Sequence, residues 1–166
     1  MSTSARIASK MLIGNPVIGI KSGKMLTKIA DIRVDPSSLK VTAAVTSKGT
    51  LLKREVELIP ADQVQVWGTD AVLVKELDVI VKEEELGEHD DWLSVTDDVQ
   101  GYEVVSEDGT RIGTLGDLVL NHQGEIMGYE MAEVAAEGRI AVSDWIDVKA
   151  TRSLGPDVLI VKSEFV

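Results

Sequence analysis

The apolar residues of this chain come in short runs, many of them alternating with polar positions, and each run stops at a cluster of Gly, Pro, Asp, Asn or Ser. Alternation of period two is the mark of a half-buried strand, whereas an amphipathic helix would repeat at 3.6. The pattern predicts strands over Pro16–Ile20, Lys28–Val34, Val41–Thr46, Val56–Pro60, Gln63–Trp67 and Ala71–Val74. After a polar stretch it resumes, predicting strands over Tyr102–Val105, Leu115–Leu120, Ile126–Ala132, Arg139–Val142, Ile146–Lys149 and Val158–Lys162. The breaks carry turn chemistry, with Gly supplying positive φ in Ser22-Gly23-Lys24 and Asp108-Gly109-Thr110.

The two series superimpose. Gly14 matches Gly101, the Gly23 turn matches the Gly109 turn, and Ala30-Asp31-Ile32 matches Gly116-Asp117-Leu118. Towards the end of each series, Gly68-Thr69-Asp70-Ala71-Val72-Leu73-Val74 matches Gly155-Pro156-Asp157-Val158-Leu159-Ile160-Val161. The later series has extra residues around Ala150–Leu154. A repeat this long exceeds any solenoid unit and indicates a duplicated domain. We therefore expect an all-β protein of two small barrels, residues 1–80 and 98–166, joined by a connector at 81–97. The acidity of the connector predicts a solvated segment.

Composition narrows the function. The 44% hydrophobic content is globular, and with aromatics at 4% the cores must be aliphatic. No cysteine is present, which removes disulfides, thiolate chemistry and Cys-rich zinc sites. Met1–Lys10 lacks the apolar core of a secretion signal, and no apolar run is long enough for a membrane span, so the expected location is the cytoplasm. The net charge is −11 but uneven: residues 1–74 hold ten basic against six acidic side chains, and residues 75–98 hold two against ten. Such a protein repels phosphate backbones at long range, which disfavours nucleic acid as a partner outside the first segment.

In the order of its motifs the chain resembles the PRC-barrel family. The motifs are Gly23 through Asp31-Ile32-Arg33-Val34, then Ile59-Pro60-Ala61-Asp62 with Val64 and Val66, then Asp70-Ala71-Val72-Leu73-Val74. They recur as Gly109–Gly113 through Asp117-Leu118-Val119-Leu120, Val142-Ser143-Asp144, and Asp157 through Val161, the second set lacking the proline and carrying the Thr151–Leu154 insertion. The resemblance implies two tandem PRC-type β-barrels. It also implies a role in docking or assembly, with ribosome association as one precedent in the family.

Catalytic apparatus is not recognisable. The two histidines, His89 and His122, lie in polar turn-like stretches. Glu83–Glu85 with Glu88, Asp90 and Asp91 is a candidate for a hard cation, but it lacks the alternating spacing of a calcium loop. Asp31 and Asp117 resemble a carboxylate pair, yet their equivalence by duplication predicts that each accepts backbone hydrogen bonds in its own turn. Gly109-Thr110-Arg111-Ile112-Gly113 has phosphate-loop composition without a following helix, which reads as a hairpin. Trp67 and Trp145 are expected to fill barrel ends, and Trp92 is either an interdomain plug or a partner anchor. Lys48, Lys53 and Arg54, with Lys21, Lys24 and Lys28, are the basic candidates for a partner-binding face.

These readings converge on a non-enzymatic interaction or assembly module with no cofactor and no metal, bound to protein partners through its barrel surfaces. Trp92, Lys48, Lys53 and Arg54 are its candidate contact residues. The alternatives are an RNA- or ribosome-associated factor acting through the basic first barrel, and an enzyme with an acidic site. Homodimerisation is also expected, through exposed edge strands such as Val41–Thr46.

Overall fold

In the computed structural model the described residues are 6–52, 55–87, 89 and 91–166. They run as β1 (Ile7–Ala8), the single helical turn α1 (Ser9–Leu12), β2 (Pro16–Gly19), β3 (Met25–Lys28), β4 (Asp31–Asp35), β5 (Lys40–Ser47), β6 (Glu57–Pro60), β7 (Val64–Trp67), β8 (Val72–Val74) and β9 (Val81–Lys82). The later half follows as β10 (Leu93–Ser94), a helical turn over Val95–Val99, β11 (Glu103–Ser106), β12 (Arg111–Leu120), β13 (Ile126–Val134), α2 (Arg139–Ser143), β14 (Trp145–Asp147), β15 (Thr151–Leu154) and β16 (Val158–Val161). The fold is all-β, and none of these helices is long and apolar enough to cross a membrane.

Three sheets form among the described residues, in the orders β3-β2-β8-β7, β10-β4-β5-β6-β9 and β14-β13-β12-β11-β16-β15. In each half the first hairpin strand lies parallel to the last strand: Ile18 stands opposite Leu73 in β2 and β8, and Val104 stands opposite Leu159 in β11 and β16. The sheets close around a main apolar cluster that includes Ile7, Val17, Ile32 and Trp67 from the first half and Val104, Leu118, Tyr129 and Leu159 from the second, beside a smaller one of Ala43, Val45 and Leu58 in the first half. Tyr129 is fully buried, and burial pushes its phenol up to about 12. The core is therefore common to both halves.

Two short segments interlock the halves. β1, at the start of the chain, pairs with the far end of β12, with Ile7 opposite Leu120 and Ala8 opposite Val119. β10, which leads into the second half, pairs with β4 of the first, with Leu93 opposite Val34 and Ser94 opposite Arg33. Each half thus receives the arm that precedes the other. A buried aspartate anchors each arm. Asp31 accepts from its neighbour Ile32 N at 2.8 Å, and also from the Ser94 hydroxyl and from Thr96 N at 3.1 Å. Asp117 accepts from Leu118 N at 2.8 Å, and also from the Ser9 hydroxyl and from Lys10 N at 2.9 Å. A backbone bond to each carboxylate was expected, but within a turn; Asp31 instead opens β4 and Asp117 lies inside β12, and the donors from the opposite half were not expected. The environments also differ, because Arg33 Nε at 4.0 Å and Lys48 Nζ at 3.8 Å offset the charge of Asp31, whereas Asp117 adds only the Gln100 amide at 3.4 Å.

Several predicted elements need correction. Lys28–Val34 is not one strand: the chain breaks at Ile29-Ala30, so that β3 joins one sheet and β4 another. In the second half the matching stretch stays continuous as β12, but with register shifts on either side of Leu115, beside Gly116, where any Cβ would come within 3.0 Å of Ala132 N. Arg139–Val142 is helical and not a strand. Gly138 precedes it at φ +134, Asp144 follows at φ +55, and the Ser143 hydroxyl donates back to Arg139 O at 3.0 Å. A four-residue apolar alternation is too short to separate the two periods. The counterpart of Ile59-Pro60 is Ile146-Asp147, because β14 pairs with β13 as β6 pairs with β5. Thr151–Leu154 is not an insertion but the edge strand β15 on β16, the counterpart of β7 on β8, and the acidic stretch contributes β9 and β10 to a sheet. Val41–Thr46 is not an edge: it lies within β5, between β4 and β6, so its backbone has no free side to offer a second copy.

Candidate docking groove

The turn between β4 and β5 and the turn between β12 and β13 meet where the halves join. Asn121 shapes the second turn: its side-chain oxygen accepts from Gln123 N at 3.0 Å and Glu125 N at 2.9 Å, and its amide donates to Glu125 Oε1 at 2.9 Å. This is the Asx geometry that makes Asn a turn residue. Gly124 takes φ +78 and lies flat against Trp67, whose Nε1 would be 2.4 Å from any added Cβ. Trp67 N donates to His122 O at 2.9 Å, and His122 Nδ1 is 2.9 Å from Trp67 O. A carbonyl oxygen only accepts, so the His122 proton sits on Nδ1. Lys40 and Glu125 bridge the two turns in antiparallel fashion.

Above this clamp lies a cleft of about 680 Å³, walled by Leu39, Val41, Ala61, Trp67, Ile126 and Val148. Lys40, Asp62 and Glu125 bring charges of both signs to it. A second cleft of about 300 Å³ shares Val41, Ala61 and Asp62 with the first and adds Pro60, Leu86, His89 and Trp92. The two clefts adjoin at these shared residues. Trp92 is held at its outer end by local chemistry: Trp92 N donates to His89 O at 3.1 Å, and the His89 ring stacks on the indole at 3.8 Å and 6°. His89 Nε2 sits 2.8 Å from Leu86 O, so it is the donor there and fixes the ring in place. The result is a mainly apolar trough with an aromatic group at each end and a mixed-charge rim. It suits apolar side chains of a ligand.

The sequence candidates scatter. Trp92 lines the groove, half-buried. Lys48 is engaged elsewhere: its Nζ is 2.8 Å from Thr96 Oγ1 and 3.5 Å from Asp97, within the arm anchor at Asp31. Lys53 and Arg54 lie outside the described residues, as do Glu88 and Asp90 of the cation candidate. Glu83 of that candidate pairs with Arg33 at 3.0 Å, and the described residues hold no cluster of three or more His, Asp or Glu arranged for a metal ion. Gly109 and Thr110 lie in the hairpin turn between β11 and β12, with Ser106 N donating to Thr110 O at 2.8 Å, and Arg111–Gly113 open β12. Trp67 is buried, and Trp145 carries the Arg6 guanidinium 4.1 Å over its ring.

The β11–β16 unit, with its first and last strands parallel and β12 and β13 as its long hairpin, is what the family comparison picks out. Residues 96–163 match the family model of the PRC-barrel domain. The matched PRC-barrel segment begins in the helical turn after β10 and ends just past β16. It contains Asp117 and the Asn121–Gly124 turn, and so supplies the second-half wall of the groove. No curated protein matches the chain.

The groove was missed by sequence reasoning because its walls come from positions far apart in the chain. Trp67 and His122 are 55 positions apart and no local pattern links them. The one available signal is the turn composition of Asn121-His122-Gln123-Gly124, which carries no information about what the turn packs against.

Proposed function

We propose that this protein is a non-enzymatic docking module of two tandem PRC-type units, which holds an apolar segment of a protein partner in the groove between Trp92 and Trp67. The observation that carries this reading is the pair of adjoining, mainly apolar clefts by the junction of the halves, one of them lined by the half-exposed Trp92. The equivalent parallel pairings of β2 with β8 and β11 with β16 support the tandem reading. A cytoplasmic location suits a chain without cysteines. Aromatic side chains in desolvated pockets commonly dominate docking energetics, so Trp92 is the first residue to remove.

The test is affinity capture from native lysate at low and high salt, with wild-type, Trp92→Ala and Ala61→Arg chains side by side. A protein retained by wild type at high salt and lost with both variants supports the groove. Retention unchanged in both variants overturns it. Recovery of RNA at low salt only, falling steeply as salt rises, would assign binding to the basic first half instead.

A further inference from the structure

The two arm sites described above stand in a reciprocal relation that the docking groove does not use. At the end of β12, Val119 and Leu120 present a strand side that β11 has already left, and β1 fills it. Asp117 beside it accepts the Ser9 hydroxyl and Lys10 N. The arm brings Ile7 and Leu12 into the core, both fully buried. The matching site on β4 takes β10, with Asp31 accepting Ser94 and Thr96. Each site therefore accepts an arm that is covalently part of the other half.

Residues 6–12 join the first half through Ile13–Asn15, where Gly14 sits at φ +86 with nothing within 4 Å of an added Cβ. Gly14 N bonds to Ile29 O at 2.7 Å, and Ile29 N bonds to Asn15 O at 2.9 Å, so the tie is fixed to the first half while the arm lies on the second. Rotation at this point moves the arm without unpairing any strand of the first half.

We propose that the Asp117 site binds this arm in trans as well as in cis, so that two copies of the chain exchange residues Ile7–Leu12 and form an arm-swapped dimer. The contacts are the same in both forms, so the balance is set by effective concentration. An arm on a short tether sees its own site at roughly millimolar concentration, which keeps dilute chains closed and favours exchange only when chains refold crowded together.

The chain has no cysteine, which allows an unambiguous trap. Ala8→Cys chains and Val119→Cys chains are mixed, unfolded, refolded together and oxidised. The two positions are directly opposed in the antiparallel pair, within disulfide reach. Any bond between the two variants must join separate chains. The expected result is a disulfide-linked heterodimer at about 0.5 mM, at least about tenfold above its yield at about 5 μM. It should also exceed by about tenfold the product of Ala8→Cys with Val142→Cys, a control whose site is 89% exposed. Equal yields for Val119→Cys and the control at both concentrations would overturn the proposal. Wild-type chain refolded at the same two concentrations gives an independent reading by light scattering, free of any folding defect in the variants. A monomer mass at both would equally overturn it.

Discussion

A carboxylate withdrawn from water is costly unless donors replace its hydration. Asp117 is 1% exposed and meets that demand with the Ser9 hydroxyl, the backbone of Lys10 and Leu118, and the Gln100 amide. Replacing it with Ala leaves several of these donors buried and unpaired, so Asp117→Ala should lower unfolding stability by about 3 kcal/mol in urea titration. Ser9→Ala, which removes one donor only, should cost about 1 kcal/mol. If Asp117→Ala proved as mild as Ser9→Ala, the anchor reading would fall. The equivalence of Asp31 and Asp117 was visible in their constant spacing from a turn glycine. Their partners were not, because Ser9 is 108 positions from Asp117 and a single sequence carries no record of such pairs.

At the scale of elements, the strands that were legible are those whose two faces have different surroundings. β2, for example, alternates half-buried Pro16 and Ile18 with buried Val17 and Gly19. The misread ones lie where alternation and tertiary placement part company. β5 reads as a half-exposed strand yet is paired on both sides, and α2 has only five residues with which to state its period. β9 and β10 are too short and too acidic in context to register as strands at all. The β12–β13 turn has a sharper requirement than its composition shows. An alanine at Gly124 would place a Cβ 2.4 Å from the Trp67 indole nitrogen in a left-handed backbone. Gly124→Ala should therefore cost about 2–4 kcal/mol, from backbone strain together with overpacking. Its Tm should drop, and the fluorescence of buried Trp67 should shift to longer wavelength as the clamp to His122 opens. An unchanged Tm and emission would show that the turn yields without disturbing the junction.

For the whole molecule, the expectation of two barrels on a solvated connector suggests two separable folding units. The packing argues otherwise. One apolar cluster runs from Ile7 and Val17 through Trp67 to Tyr129 and Leu159, and both arms cross between halves. A chain of about 70 residues buries only about 60% of its unfolded surface, against nearly 70% at about 150 residues, so each half gains by sharing its core with the other. Cutting between the halves would also remove the strand that each lends: residues 1–80 would lose β10, and residues 98–166 would lose β1. Asp31 and Asp117 would then be left buried without the donors that neutralise the cost of their burial. The full chain should therefore unfold in a single transition, coincident by far-UV circular dichroism and by tryptophan fluorescence, the latter reporting from Trp67 and Trp92 in the first half and its connector and from Trp145 in the second. The separated halves should each show little native signal alone and recover it, in part, when mixed. Two resolved transitions in the intact chain, or a half that folds cooperatively by itself, would mean that the shared core contributes less than the contacts within each half.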